Sequence, residues 1–220
     1  MFKIKIITTL TLLTTLFTAS TSYAEDKLYL FNTVEFKSSS FKSVPKWQEI
    51  IDKRLEEELN ITNCLKKKSS CPADKKEFII QWFQMLKIAY KLQTKADQIE
   101  YVNDFFNMKE YILDIDNWGL TDYWEIPTEF LEFSGDCEDY AIIKYYTLKK
   151  LGFDIKDMRI VVLKDTVRNG AHAVLAVYQD NKALILDNLS STVLEDKTLT
   201  QYLPYYSINE NFKWIHFKKM

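Results

Sequence analysis

Cys137 lies in the segment SGDCEDYA, with Asp136 before it and Glu138 and Asp139 after it. A cysteine attacks as its thiolate, and neighbouring negative charge raises the thiol pKa and blunts it. The same segment leads into a helical pattern. Apolar residues recur at Ile142, Ile143, Tyr146 and Leu148, and Gly152 stands where a C-terminal cap belongs. A helix starting after Gly135 puts Cys137 in or just before its first turn. Unpaired N–H groups and the positive end of the helix dipole there stabilise a thiolate. The backbone N–H of such a cysteine can also donate to the oxyanion of a substrate carbonyl. Geometry and local charge therefore pull in opposite directions.

A cysteine nucleophile needs a base, and the chain has two histidines, His172 and His216. His216, in KWIHF, alternates with aromatic residues and reads as a half-buried strand residue. His172 opens a strand directly after the loop RNGA, at a sheet end that a substrate can reach. A base needs an orienting group, and register tests for one. His172 and Asp187 lie on consecutive β-rich runs joined around QDNK. In an antiparallel hairpin, an even loop puts both on one face, and a two-residue turn at Asp180 and Asn181 is such a loop. An odd loop separates them and leaves Asp187 as a turn residue before Asn188. If they meet, Asp187 fixes the imidazole tautomer and supports the imidazolium. Nucleophile, base and orienter are the three roles that acyl transfer requires.

The carboxylates beside Cys137 allow three readings. They form a solvated face, one of them caps the helix, or they hold a cation that cancels their field. Carboxylate and carbonyl oxygens are what calcium (Ca2+) takes. On that reading Asp136, Glu138 and Asp139 are ligand candidates. The preceding loop, DIDNWGLTD, adds Asn117 or main-chain carbonyls, although it does not have the spacing of an EF-hand.

The surrounding elements follow from hydrophobic period. Residues 45–60 carry Trp47, Ile50, Ile51 and Leu55 at helical spacing, with Pro45 suited to a first turn. Residues 75–93 form a second amphipathic helix and residues 95–108 a third. Their aromatic stripes read as core packing rather than a ligand groove. The segment 116–133 is aromatic and broken by Gly119 and Pro127. After Gly152 the period changes to that of strands, at 158–164, 172–178, 182–188 and 212–218. Helices first and then an antiparallel meander, with no helix between strands, is an α+β order.

Length and composition restrict the rest. Residues 1–24 combine Lys3 and Lys5, an acid-free apolar run at 6–17, and Ser22 and Ala24 at the −3 and −1 positions. That is the pattern of a secretory signal peptide cleaved after Ala24, and the apolar run is too short to span a membrane. Residues 25–220 then make one domain, large enough to bury a core. Of the 29 Lys and Arg, Lys3 and Lys5 leave with the signal. The remainder stand against 31 acids for a net charge near −4, which does not point to nucleic acid or anionic lipid. The expected location is the periplasm. In an oxidising compartment, Cys64 and Cys71, bracketing LKKKSS, form a short-loop disulfide. Cys137 is then left as a reactive thiol, an intermolecular bridge or a buried inert one. A Cys-x6-Cys spacing and two histidines argue against zinc.

The stretch from WGLTDYWEIPTEFLEFSGDCEDYAIIKYYTLKKLGF through MRIVVLK, AHAVLAVY and LILDNL resembles the bacterial transglutaminase-like cysteine proteases, over residues 118–189. The resemblance implies a papain-like fold, with Cys137 as nucleophile, His172 as base and Asp187 as its orienter. It implies calcium dependence, with Asp136, Glu138, Asp139 and Asn117 near the ion. The implied substrate is the N-terminal region of a large surface adhesin, cut near a paired-alanine motif to disperse a biofilm. The implied restraint is an inner-membrane, LapD-like cyclic-di-GMP receptor, whose periplasmic domain sequesters the protease. Two other readings of the same residues stand beside this one. A transglutaminase or amidase would use the triad on another acyl donor, and a non-catalytic binding module would keep only the fold.

Overall fold

In the computed structural model the described residues are 29–67, 71 and 75–219. The expected signal peptide, 1–24, lies outside them. All six α-helices among the described residues precede the strand-rich half: α1 (Pro45–Lys66), α2 (Lys76–Ala89), α3 (Lys95–Asn107), α4 (Asp114–Asn117), α5 (Pro127–Phe133) and α6 (Cys137–Lys150). Proline opens α1 and α5, where its missing N–H costs nothing. Thr94 caps α3 by accepting from the Asp97 N–H at 3.0 Å, and Asp97 reciprocates to the Thr94 N–H at 3.1 Å. Gly152, at φ +86°, closes α6 in the left-handed conformation expected of a C-terminal cap.

The strands are β1 (Thr33–Ser38), β2 (Met158–Asp165), β3 (Gly170–Gln179), β4 (Lys182–Leu186), β5 (Leu194–Glu195), β6 (Tyr202–Ile208) and β7 (Lys213–Lys218). They form one antiparallel sheet in the order β1-β7-β6-β2-β3-β4-β5. The α+β order read from the period holds. The meander runs from β2 to β5, and β6 then returns to the other side of β2. Three strands have no clear trace in the sequence, and one of them, β5, is only two residues long. In β6, Pro204 interrupts the run, and it sits opposite Leu163 where the β2–β6 register shifts, an irregularity that tolerates a missing N–H. In β1 the usual polarity is inverted: Thr33 and Glu35 are buried while Val34 and Phe36 are exposed. Glu35 is compensated by Arg159 at 2.8 Å.

Helix α6 runs through the middle of the molecule, and every residue from Tyr140 to Leu148 is buried. It packs Ile142, Ile143 and Leu148 against Ile160 of β2 and Leu175 and Val177 of β3, with Trp82, Phe106 and Phe130 filling in from α2, α3 and α5. Each fully buried aliphatic side chain there contributes about 1.5–3 kcal/mol. The aromatic stripes of the first three helices are thus core. Trp47 and Trp82 are fully buried, and Trp82 donates its indole N–H to Thr147 at 2.9 Å. A smaller cluster on the other face of the sheet gathers Leu30, Val161, Leu163, Val174 and Ile185. Cys64 and Cys71 are disulfide-bonded, which leaves Cys137 as the free cysteine. No helix among the described residues is long and apolar enough to cross a membrane.

Candidate active site

Cys137 is the first residue of α6. The turn that delivers it is tight. Ser134 is at φ +61°, and a Cβ on Gly135 would lie 2.3 Å from Asp139 Oδ2, so only glycine fits. Asp139, fully buried, accepts from the Asp136 N–H at 3.0 Å and from the Glu125 N–H at 2.8 Å. It caps the helix and ties the preceding loop to it. One of the acids in SGDCEDYA thus serves a capping role.

His172 lies on β3 and Asp187 just beyond β4. The connecting loop is the two-residue turn Asp180–Asn181, both residues at positive φ (50° and 59°), with Gln179 opposite Lys182. The even loop puts His172 and Asp187 on one face, and His172 Nε2 lies 2.9 Å from Asp187 Oδ1. Asp187 is held by three groups. Oδ1 also accepts from the Leu189 N–H at 2.9 Å, and Oδ2 accepts from the Tyr202 hydroxyl at 2.5 Å. Burial pushes the Asp187 carboxyl up. His172, Tyr202 and the Leu189 N–H outweigh it and hold the group below its ordinary value, as a carboxylate. The tautomer then follows: Nε2 carries the proton towards Asp187, and Nδ1 is the nitrogen left to act.

Cys137 and His172 line one pocket of about 260 Å³, with Tyr111, Arg168, Ala171 and Leu189 among its other walls. Tyr202 is a member of the site that no local sequence signal indicates, since it lies on the proline-interrupted strand. His216 is elsewhere. It is buried on β7 between the Thr33 hydroxyl (2.7 Å from Nδ1) and the Ser207 hydroxyl (2.8 Å from Nε2).

The acids form a cluster at the start of α6 in which Asp114 and Asp139 are buried, Asp136 and Glu138 half-buried and Asp122 exposed. Single oxygens of Asp114, Asp136 and Asp139 lie within 4.8 Å of one another, as do those of Asp114, Asp122 and Glu138. Asp114 and Asp122 come from the segment before α5 and are additions to the three acids read next to Cys137. Asn117 borders the cluster and donates its amide to the Ser134 carbonyl at 2.9 Å. Burial first, and then repulsion from neighbouring acids, raise Asp114, Asp136 and Asp139. Asp136 is pushed up to about 8 by burial and by Glu138, and Glu125 to about 8 by burial and the acids around it. Asp114 Oδ1, Asp136 Oδ1 and Glu125 Oε2 are buried without a hydrogen-bond partner. Orphaned buried carboxylate oxygens are costly, and a hard, oxygen-seeking cation is the group that suits them. The Cys137 thiol donates to Glu138 at 3.2 Å, and burial, Glu138 and Asp136 together push it far above its ordinary range. Burial first, and the neighbouring acids with it, hold the thiol protonated.

The family model of the bacterial transglutaminase-like cysteine proteinases matches residues 61–220. The chain belongs to that family. It is also similar to Legionella pneumophila LapG, at 34% identity over 71% of this chain and 87% of that one, with a TM-score of 0.61. The calcium-bound form of Legionella LapG matches equally, and the EGTA-treated form at 33% identity over 73% and 88%, with a TM-score of 0.62. Among curated protein sequences none matches significantly. The chain is therefore a transglutaminase-like cysteine proteinase in family and fold, and structures of a family relative exist in calcium-bound and EGTA-treated forms.

Proposed function

We propose that this proteinase is a calcium-dependent, periplasmic cysteine endopeptidase that cuts the N-terminal region of a large surface adhesin. The observation that carries the catalytic part is the 2.9 Å contact of His172 with Asp187 beside a pocket shared with Cys137 at a helix start. Cys137 is the nucleophile, His172 the base and Asp187 its orienter. The thiol proton passes to His172 Nδ1 as sulfur bonds to the scissile carbonyl carbon. The Cys137 N–H, free at the first turn of α6, donates to the oxyanion. Collapse breaks the C–N bond, and the imidazolium gives its proton to the leaving amine. Water then hydrolyses the thioester, with His172 again taking the proton. Asp187 stabilises the imidazolium throughout and stays ionised.

Asp114, Asp122, Asp136 and Glu138 would hold the calcium ion, with Asp139 behind them and Asn117 at the border. Bound there, the ion supplies positive charge that offsets the carboxylate field on Cys137. The Legionella LapG structures in calcium-bound and EGTA-treated forms support this reading. The adhesin substrate, its cleavage near paired alanines and sequestration by an inner-membrane LapD-like receptor under cyclic-di-GMP rest on family resemblance. Incubation of the mature protein with an adhesin N-terminal segment tests the proposal. Specific cleavage that disappears in Cys137→Ala supports it, and cleavage undiminished in that variant refutes it.

A further inference from the structure

A cation sits fully buried on the nucleophile-bearing helix, away from the acids. Lys144 is two turns after Cys137 and has no exposed surface. None of the ion pairs among the described residues includes it. Its ammonium donates instead to two side chains of α3, Asn103 Oδ1 at 2.9 Å and Asn107 Oδ1 at 2.6 Å. With both amide oxygens engaged, both amide nitrogens point at the turn after β4. Asn107 donates to the Asp187 carbonyl at 2.8 Å and to Ser190 at 2.9 Å, and Asn103 donates to Ser190 at 2.9 Å and Ser191 at 3.2 Å. That turn begins with the residue that holds His172, and it supplies Asn188 and Leu189 to the pocket wall.

A buried ammonium hydrogen-bonded to neutral amides, with the Tyr140 ring 5.7 Å from it, is an expensive way to fill a core, because its desolvation exceeds what two neutral acceptors return. A methionine of similar length would pack α6 at lower cost. The N–H donors of Lys144 do one thing a methionine cannot. They orient both amides, so that oxygen faces the helix and nitrogen faces the turn. Burial lowers the Lys144 amine to about 7, while the charge of Asp187 opposes that fall.

We propose that Lys144 is a positioning residue that, through Asn103 and Asn107, sets the Asp187–Ser191 turn and with it the His172–Asp187 hydrogen bond. The proposal rests on the triad reading above for its catalytic meaning, though its geometry is tested separately. The chain's two histidines provide the measurement. In the full mature protein with calcium added, NMR of the imidazole N–H groups reports His172 bonded to Asp187, and His216 serves as an internal control remote from the turn. Lys144→Met and, independently, Asn107→Asp should shift or broaden the His172 Nε2–H resonance while the His216 signals stay in place. Alkylation of Cys137 by iodoacetamide should slow in parallel, roughly tenfold to a hundredfold, as expected for a small misplacement of the base. Asn107→Asp keeps the shape and the acceptor for Lys144 but loses the donor to the turn, and it decides the matter alone if Lys144→Met does not fold. An unchanged His172 resonance in a folded variant overturns the proposal and leaves the triad standing. Full proteolysis by Cys137→Ala would remove the triad and leave the clamp.

Discussion

His172 and His216 occupy nearly the same kind of place and do different things. Both lie on strands of one sheet, and both are buried, at 6% and 7% exposure. His216 is sandwiched between two hydroxyls, and burial pushes its imidazole down to about 4, so it stays neutral. His172 has a carboxylate on one nitrogen and a pocket shared with a thiol beside it. Burial does not distinguish the histidine proposed as base from the structural one. The charge of the partner and access to a nucleophile do.

The largest effect that would break this contrast lies at the pocket. Cys137→Ala and His172→Ala should each lower peptide cleavage by roughly a thousandfold or more, given how strongly nucleophile and base depend on each other. His216→Ala should leave the rate per folded molecule unchanged, and equal loss in both histidine variants would erase the contrast. Asp187→Asn comes next. It keeps the shape but removes the carboxylate, and cleavage should fall by something on the order of 10²–10⁴-fold with a thermal midpoint that moves far less.

The structural histidine should show itself in stability instead. Its pKa in the folded state lies below the unfolded value, so the unfolded chain binds the proton more readily. Stability attached to His216 is complete above about pH 6.5 and is lost as pH falls towards about 4. Urea titrations of the wild type and of His216→Gln over this range should differ by this decline, the difference shrinking as pH falls. A difference with no such slope would mean that His216 is solvated. The smallest effect concerns the Cys64–Cys71 bridge, remote in sequence from the catalytic residues. Replacing both cysteines by serine should cost about 2 kcal/mol of stability and leave cleavage unaltered. Mass spectrometry of the unreduced protein should find the two residues linked, and a bridge to Cys137 would contradict the free thiol.

What could be read from the sequence and what could not divide along physical lines. Cys137 was legible because a helix period begins beside it. The His172–Asp187 pairing was legible as a condition, because parity in a short hairpin decides which face each residue takes, and the Asp180–Asn181 turn met it. Asp114 and Asp122 were not legible as neighbours of Asp136 and Glu138, since only the folded loop before α5 brings them close. Tyr202 was hidden because Pro204 disguised its strand, and β1 because its buried positions are Thr33 and Glu35 rather than apolar residues. Lys144 sits in a helical run where lysine ordinarily marks a solvated face, and nothing local tells that this one is interior. Local period and parity carry short-range geometry, whereas buried polar contacts between distant segments leave no periodic trace.

The central claim is that the acids around Cys137 disable it unless a cation offsets them. The direct measurement is cleavage of an adhesin N-terminal segment by the wild-type protein in calcium, after EGTA, and after calcium is restored. Cleavage, then loss, then recovery are expected, with Cys137→Ala inactive throughout. Cleavage that continues undiminished in EGTA would contradict the claim and reassign Asp114, Asp136 and Glu138 to a structural role.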